Sequence, residues 1–277
     1  MAQKIQPRDL IKAYHDIVAK YPNIPPMAFW RPWEIAYIRK KITFETGLTL
    51  DLACGDGKFA EIVLKPLGFS LVGCDFNPEV ITQAEKTGIY EKVIVADARN
   101  LPFKSESFSN VFSNCAFEHF DDIEIVLGEV WRVLKPGGRL IFTAVNDNFV
   151  KWQPFSTIGK MLGLRKWVES IRINHIKYHN LVNPYSRENW LELVQEQQFK
   201  LEYIKDYISW LPTYVFLVLD QLWHYPMKDR EFGTIYYDEH LNDEKLPFYF
   251  DILFNILAKI STEKRGSGII VSARKEV

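Results

Sequence analysis

The strongest constraint on the fold is a repeated alternation of apolar runs and helical patterns between about residues 47 and 146. Apolar runs suited to buried parallel strands occur at Thr49–Ala53, Leu71–Asp75, Val93–Ala96, Val111–Asn114 and Arg139–Val145. Helical patterns lie between these runs; Asn77 followed by Pro78 marks a helix start, and the turn LKPGG at 134–138 marks a helix stop before the next strand. Repeated strand–helix units predict a parallel sheet with helices on both faces.

The rest of the chain adds to this core at both ends. Residues 1–46 predict a helical N-terminal arm, and the core pattern returns after residue 185 with a helix capped by Ser186 and an alternating strand. The segment GIIVSARK at the end of the sequence predicts a final strand. Residues 147–185 and 211–265 interrupt the pattern and are predicted to be insertions.

Composition argues against nucleic-acid binding and against a membrane span. The chain has 277 residues and a formal net charge of −1, a balance that gives no overall basic character suited to phosphate backbones, although a local basic groove remains compatible with it. The N-terminus lacks the apolar core of a signal peptide, and the apolar stretch Ile208–Trp223 is too short to span a bilayer. The cysteines Cys54, Cys74 and Cys115 have no zinc or redox spacing, so we expect reduced thiols and a cytoplasmic protein.

A glycine-rich turn follows the first predicted strand. From Gly55 the sequence is GDGKFA, which satisfies the dinucleotide pattern G-x-G-x-x-G/A, and Asp75 ends the next strand 20 positions later. By spacing alone, a dinucleotide and another adenosine-containing cofactor both remain open. Asp51 closes the strand and Asp56 lies in the turn, and these carboxylates would oppose a pyrophosphate. They suit the ammonium and sulfonium groups of S-adenosylmethionine.

Four ordered motifs resemble the class I, Rossmann-like S-adenosylmethionine-dependent methyltransferases of the small-molecule type. The motifs are LDLACGDGKF, LVGCDFNP, VIVADARNLPFKSESFSNVFSNCAFEHF and VWRVLKPGGRLIFTA, and they cover about residues 48–145. The resemblance implies one α/β domain over residues 1–277, with a doubly wound, mostly parallel seven-stranded sheet whose last strand is antiparallel. Residues 47–146 would form the cofactor-binding core, and the two insertions would form a helical lid on the acceptor side.

The resemblance also implies where S-adenosylmethionine would bind. Asp51 would lie near the methionine ammonium, and Asp75 would accept hydrogen bonds from both ribose hydroxyls. Phe76 would lie against adenine, whose amino group would meet Asp97 and the backbone of Ala98. The other implied cofactor residues follow the first strand and end the fourth, at Ala53, Gly55, Gly57, Asn114 and Cys115. Structural alternatives remain open, such as a helix cap at Asp97 and simple packing at Cys115.

His119, in the segment NCAFEHF, is the candidate proton acceptor. In the family that the chain resembles, the end of the fourth strand faces the donor methyl, and histidine titrates near neutrality. A base is needed only if the acceptor must lose a proton, and a structural role for His119 remains the alternative. His175 and His179 are other candidates; their i, i+4 spacing suits a metal, but no third ligand is evident, so we predict no metal site.

The acceptor is predicted to be a small, apolar or ring-bearing molecule that is methylated on an O or N atom. Aromatic residues are dense outside the core and suit such a pocket, among them Trp30, Trp33, Trp152, Phe155, Trp167, Trp210, Tyr214, Tyr225, Tyr236 and Tyr237. The apolar segment 246–260 could cover the site, join a homodimer or rest peripherally on a membrane. An NAD(P)-type oxidoreductase and a catalytically silent S-adenosylmethionine-binding protein remain open as alternatives.

Overall fold

A seven-stranded sheet lies at the centre of the computed structural model, which describes residues 4–22, 25–227, 230–231, 235, 246–261 and 265–276. In chain order the strands are β1 (Thr49–Leu52), β2 (Leu71–Asp75), β3 (Lys92–Val95), β4 (Phe108–Asn114), β5 (Leu134–Val145), β6 (Phe199–Tyr207), the short pair β7 (Pro226–Met227) and β8 (Arg230–Glu231), and β9 (Gly268–Lys275). The order in the main sheet is β3-β2-β1-β4-β5-β9-β6. Only β9 runs antiparallel to its neighbours in this sheet, which confirms the predicted fold class.

Helices cover both faces of the sheet. They are α1 (Pro7–Val18), α2 (Pro25–Lys41), α3 (Lys58–Val63), α4 (Pro78–Lys86), α5 (Ile123–Val133), α6 (Asp147–Lys151), α7 (Pro154–Met161), α8 (Arg165–Tyr178), α9 (Arg187–Glu196), α10 (Trp210–Trp223) and α11 (Leu246–Ile260). The Asn77 side chain accepts the N–H of Glu79 at 2.9 Å, and Ser186 Oγ accepts the N–H of Asn189 at 3.1 Å. Both predicted helix caps are therefore confirmed.

Strand β5 begins earlier than the sequence predicts. The LKPGG turn was expected to precede a strand that begins at Arg139, but Leu134 already pairs with Phe108. The register then shifts, and Asn110 pairs with Arg139. Gly137 has a φ of +74°, a conformation that glycine adopts readily. The turn is therefore an irregularity within the ladder, because the residues on both sides of it hydrogen-bond to β4.

Two hydrophobic cores hold the helices on opposite faces of the sheet. Successive side chains of a strand point to opposite faces, so Ile141 and Phe142 of β5 belong to different cores. The core around Ile141 contains the buried faces of α1, α2, α3 and α11. The core around Phe142 contains those of α5 and α9. The N-terminal arm therefore packs on the face opposite to α5.

Helix α11 packs against the N-terminal arm. Phe250 stacks on Tyr14 with ring centroids 5.0 Å apart, and Phe254 stacks on Phe29 at 5.6 Å. This contact buries one face of the segment whose role the sequence left open, while Ile252 and Ile256 on the helix remain exposed. In the described ranges, no helix combines the length and the apolar character needed to cross a bilayer.

Candidate cofactor and acceptor sites

The carboxyl ends of β1 and β2 bring Asp75 onto the glycine-rich turn. The backbone N–H of Gly55 donates to Asp75 Oδ2 at 3.0 Å, and that of Asn77 donates to Oδ1 at 3.0 Å. The side chain is 9% exposed. A carboxylate offers about four lone-pair positions, so Asp75 keeps room for two further donors. This arrangement fits the two hydroxyl groups of a ribose.

The backbone of the turn is left-handed at three positions that the sequence singled out. Ala53, Gly55 and Gly57 have φ angles of 59°, 54° and 76°. A Cβ atom on Gly57 would lie 2.9 Å from the Tyr90 ring, so a side chain cannot be placed there without a shift. A Cβ atom on Gly55 would have no neighbour within 4 Å. The turn is therefore open beside Gly55, where a ligand can approach the backbone.

Asp51 is a buried carboxyl group behind this turn. Its Oδ2 accepts a hydrogen bond from the Tyr90 hydroxyl at 2.6 Å, and the side chain is 3% exposed. Burial, assisted by the nearby charge of Asp75, raises the pKa of Asp51 to about 7, although the bond from Tyr90 lowers it. A carboxyl group in this environment is stabilised in its ionised form by a cation. Asp51 thus fits the ammonium group of S-adenosylmethionine.

The residues predicted to contact adenine lie at the same edge of the sheet, but Asp97 already has a partner. Phe76 is 76% exposed, so its ring is accessible for stacking, and Ala98 is buried. The guanidinium of Arg99 donates to both carboxylate oxygens of Asp97, with Nη2 2.7 Å from Oδ2. The contact of Asp97 with adenine stays a prediction, because it requires the carboxylate to share or release Arg99.

The end of β4 meets a buried charged cluster that originates in the N-terminal arm. Glu34 of α2 is fully buried and accepts hydrogen bonds from the Tyr207 hydroxyl at 2.6 Å, Arg31 at 2.7 Å and Cys115 Sγ at 2.8 Å. Arg31 also donates to Asn114 Oδ1 at 2.7 Å. Although burial alone would raise it, the Arg31 charge and these hydrogen bonds hold the pKa of Glu34 below its usual range. Asn114 and Cys115 are therefore fixed by an ionised group.

Sequence reasoning missed Glu34 and Tyr90. A signal for Glu34 was present, because it is the single acid in FWRPWEIAY, and buried acids need partners. Asp220 in FLVLDQLW carries the same signal. Tyr90 lies in the loop after α4, and no pattern in the sequence pointed to it.

A cavity of about 290 Å³ lies beside the end of β4, and we call it the acceptor cavity. Its aromatic wall contains Trp30 of the arm, Phe149 of the first insertion and Phe216 of the second. Cys115, Glu118, His119, Arg31, His179 and Asp220 add polar groups. Aromatic walls with a few polar groups are typical of sites for small molecules. Of the aromatic residues named from the sequence, Tyr236 and Tyr237 lie outside the described residues.

His119 lines the acceptor cavity at the end of a short 3₁₀ segment, Phe117–His119. Its Nδ1 lies 3.0 Å from the carbonyl oxygen of Asn180, a distance at which an N–H on Nδ1 donates to that oxygen. Burial lowers the pKa of His119, so the ring is neutral near pH 7 and its Nε2 can accept a proton. Its catalytic role stays a prediction.

His175 and His179 form an edge-to-face pair on the acceptor side, with ring centroids 4.5 Å apart and an angle of 68° between the ring planes. Burial lowers the pKa of His175 to about 3, and His179 Nε2 lies 3.3 Å from Asp220 Oδ2. Within the described part of the chain, no group of three or more His, Cys, Asp or Glu side chains is arranged to hold a metal ion.

Comparisons with known proteins agree with this geometry. A family model described as a methyltransferase domain matches residues 50–142. Demethylmenaquinone methyltransferase of Thermus thermophilus is 42% identical over 98 residues, which are 33% of this chain and 44% of the relative. The crystal structure of the cyclase SpnF is similar with a TM-score of 0.58 at 17% identity, and the match covers 97% of this chain and 94% of that chain.

A second similar structure contains S-adenosylhomocysteine, which is what remains of S-adenosylmethionine after methyl transfer. It is a phosphoethanolamine N-methyltransferase of Haemonchus contortus in complex with S-adenosylhomocysteine, with a TM-score of 0.54 at 15% identity, covering 88% of this chain and 52% of that one. At these identities the solved structures show the fold, and the chain spans about half of the length of the Thermus relative. The match to a methyltransferase domain, which includes Asp51, Gly55 and Asp75, favours a methyltransferase over the dinucleotide oxidoreductase. Residues 50–142 are thus a methyltransferase domain of the kind that uses S-adenosylmethionine, and the chain has the class I, Rossmann-like fold of the solved methyltransferase.

Proposed function

We propose that the protein transfers a methyl group from S-adenosylmethionine to an O or N atom of a small, apolar or ring-bearing molecule. The observation that carries this proposal is the position of the acceptor cavity. It lies beside Cys115 at the carboxyl end of β4, on the sheet edge where β1, which contains Asp51, and β2, which contains Asp75, also end. Ligands of open α/β sheets bind at this edge.

The residues at this edge would hold the cofactor as follows. Asp75 would accept the ribose hydroxyls, Asp51 would bind the ammonium, and the backbone at Gly55 would lie against the ligand. Phe76 and Asp97 would contact adenine. The remaining positions, Ala53, Gly57, Ala98, Asn114 and Cys115, would shape the turn and the path of the methionine. The bound cofactor supplies a methyl group on a positively charged sulfur.

The protein would accelerate the transfer mainly by alignment. Holding two reactants in the productive geometry can lower a barrier by about 7–11 kcal/mol. Trp30 and Phe149 meet edge to face, with ring centroids 5.4 Å apart, and form a rigid apolar surface against which a flat ring can lie. When the acceptor is a hydroxyl group, His119 would take its proton. Proton transfer to a positioned base of this kind raises the rate by about 10²–10⁴-fold.

The relative named demethylmenaquinone methyltransferase supports an acceptor that contains a ring. The two insertions, residues 147–185 and 211–265, would form the lid of the proposed site, and Phe149 and Phe216 within them support this role because they line the cavity together with Trp30 of the arm. We also propose a cytoplasmic location, which is supported by the free thiols of all three cysteines.

Methyl transfer can be tested with 1,4-naphthoquinol as a probe acceptor. The protein is incubated with this quinol and S-adenosylmethionine that carries a tritiated methyl group. We expect label in the organic phase and a product heavier by one methyl group. His119→Ala is expected to lower kcat for a phenolic acceptor by about 10²–10⁴-fold without loss of cofactor binding. Cofactor binding without transfer to naphthols, phenols or amines would instead support a catalytically silent binding protein.

A further inference from the structure

Glu118 is a buried acid whose side chain is only half satisfied by the protein. It is 1% exposed, and its Oε1 accepts the backbone N–H of Val145 at 3.3 Å. Its Oε2 is buried without a hydrogen-bond partner among the described residues. The residue lines the acceptor cavity. Because an unpaired buried polar atom is unfavourable, this atom is suited to a partner supplied by a ligand.

At position 118 the backbone, not the side chain, holds neighbouring segments together. The carbonyl oxygen of Glu118 accepts the N–H groups of Val182 and Asn183, both at 2.9 Å, and so ties the 3₁₀ segment to the end of the first insertion. These contacts do not involve the carboxyl group. A side chain of similar shape could therefore preserve the fold. The fold alone does not account for the carboxyl group of Glu118 at this position.

The surroundings of Glu118 favour its neutral form. Burial raises the pKa of Glu118 to about 8, the negative Glu34 adds to this effect, and the cation of Arg31 opposes it. His119, whose Nε2 lies 4.0 Å from Glu118 Oε1, is itself neutral because burial lowers its pKa. Asp220 and His179 line the cavity from the two insertions. Near pH 7 the carboxyl group therefore carries a proton and can donate a hydrogen bond.

We infer that Glu118 recognises the acceptor by donating a hydrogen bond to an oxygen atom of its ring, which makes the substrate class a phenol, a quinol or a similar hydroxylated ring. This inference rests on the proposed function and specifies its substrate. Glu118 and His119 offer a donor and an acceptor side by side, so one hydroxyl group can accept from the first and donate to the second. An ammonium group could donate to Nε2 of His119, but it has no lone pair with which to accept a hydrogen bond from Glu118.

Binding of two ligands of similar shape tests this role directly. The probes are 1-naphthol and 1-methylnaphthalene, titrated by fluorescence into protein saturated with S-adenosylhomocysteine. We expect wild-type protein to bind 1-naphthol about tenfold more tightly near pH 7, as one additional hydrogen bond allows. Glu118→Met should reduce this preference to about twofold or less, because the sulfur-containing side chain has no donor.

Glu118→Gln distinguishes hydrogen-bond donation by residue 118 from loss of the Glu118 proton with rising pH. The amide keeps a donor that does not titrate, so this variant should keep the preference for 1-naphthol. Wild-type protein should lose its preference as the pH rises above about 8, because the carboxyl group then loses its proton. Ionisation of the naphthol is common to both proteins, so the difference between them belongs to Glu118. Glu124→Gln, at an exposed position of α5, is the matched control and should behave like wild type.

Several results would overturn the inference. They are equal affinity of wild-type protein for the two probes, no binding of either, an unchanged preference in Glu118→Met, and identical pH profiles of wild type and Glu118→Gln. The last comparison remains decisive if Glu118→Met does not fold. Binding of S-adenosylhomocysteine is measured first for each protein. Its absence in wild type would overturn the proposed function itself, whereas normal binding without a naphthol preference would overturn only the role of Glu118.

Discussion

The cofactor edge and the acceptor cavity differ in how far apart in the sequence their parts lie. At the cofactor edge, Gly55 bonds Asp75 across 20 positions, and the next contact of Asp75 is Asn77. The acceptor cavity instead joins Trp30, Glu118 and Phe216 from separate segments. At the cofactor edge, backbone N–H groups hold the Asp75 carboxylate, whereas Glu118 in the cavity keeps an oxygen without a partner among the described residues. The cofactor edge is thus preorganised, and the cavity is completed by its ligand.

Glu34 joins the two regions. Its replacement is expected to have the largest effect of the changes considered, and that effect is on stability. Glu34→Gln removes a fully buried charge and leaves Arg31, whose side chain is 21% exposed, without its ionic partner, so the free energy of unfolding should fall by about 3 kcal/mol. Urea denaturation measures the change. The control is Glu45→Gln, which removes a partly exposed partner of Arg274 and should cost about 1 kcal/mol or less. Similar losses in both variants would show that the cluster does not tie the arm to the core.

The next largest expected effect is on cofactor affinity, and it should differ between Asp75 and Asp97 at the cofactor edge. Asp75→Ala removes a charged acceptor for two ribose hydroxyls, so S-adenosylhomocysteine should bind about 100-fold more weakly. Asp97→Ala should weaken binding only about threefold, because Asp97 is exposed and shared with Arg99. Calorimetry compares the two variants, and their melting temperatures show whether each is folded. Equal losses would mean that Asp97 releases Arg99 and binds the cofactor as firmly as Asp75.

An effect smaller than that of Asp75→Ala, within one pH unit, follows from the pKa of about 7 for Asp51. Its carboxyl group binds a proton in the free protein below that pH, and an ammonium group would favour the ionised form. Binding of S-adenosylhomocysteine should therefore release a proton, and affinity should fall by up to about tenfold per pH unit below about 7 and stay level above it. Calorimetry in buffers with different ionisation enthalpies detects the proton.

Tyr90→Phe provides a matched variant for this pH dependence. It removes the hydrogen bond that lowers the pKa of Asp51, so the midpoint of the affinity profile should move to higher pH. An affinity that does not change with pH in either protein would place the ammonium away from Asp51.

The sequence was most informative where a contact is local or periodic. Apolar runs predicted the parallel strands, and the distance from Gly55 to Asp75 predicted their meeting, because successive parallel strands end at the same edge. The LKPGG turn showed the limit of this approach. Its glycine and proline indicated a turn, but only pairing with Phe108 shows that the strand includes it.

The contacts that the sequence did not predict join distant positions. Glu34 reaches Cys115 across 81 positions and Tyr207 across 173. Local patterns contain no information about such pairs, although an isolated acid in an apolar segment indicates that a partner exists. The Asp97–Arg99 pair was missed for another reason. A motif specifies which residue types are present, but it does not specify which neighbour each one binds before the cofactor arrives.

Calorimetric titration of wild-type protein with S-adenosylmethionine, S-adenosylhomocysteine and NAD tests the central claim most directly. We predict that both sulfur nucleosides bind at a single site, since Asp51 suits an ammonium group and the turn carries acids that oppose a pyrophosphate. NAD should not bind. Binding of NAD in preference to the sulfur nucleosides, or binding of none of the three, would contradict the assignment of this edge to S-adenosylmethionine.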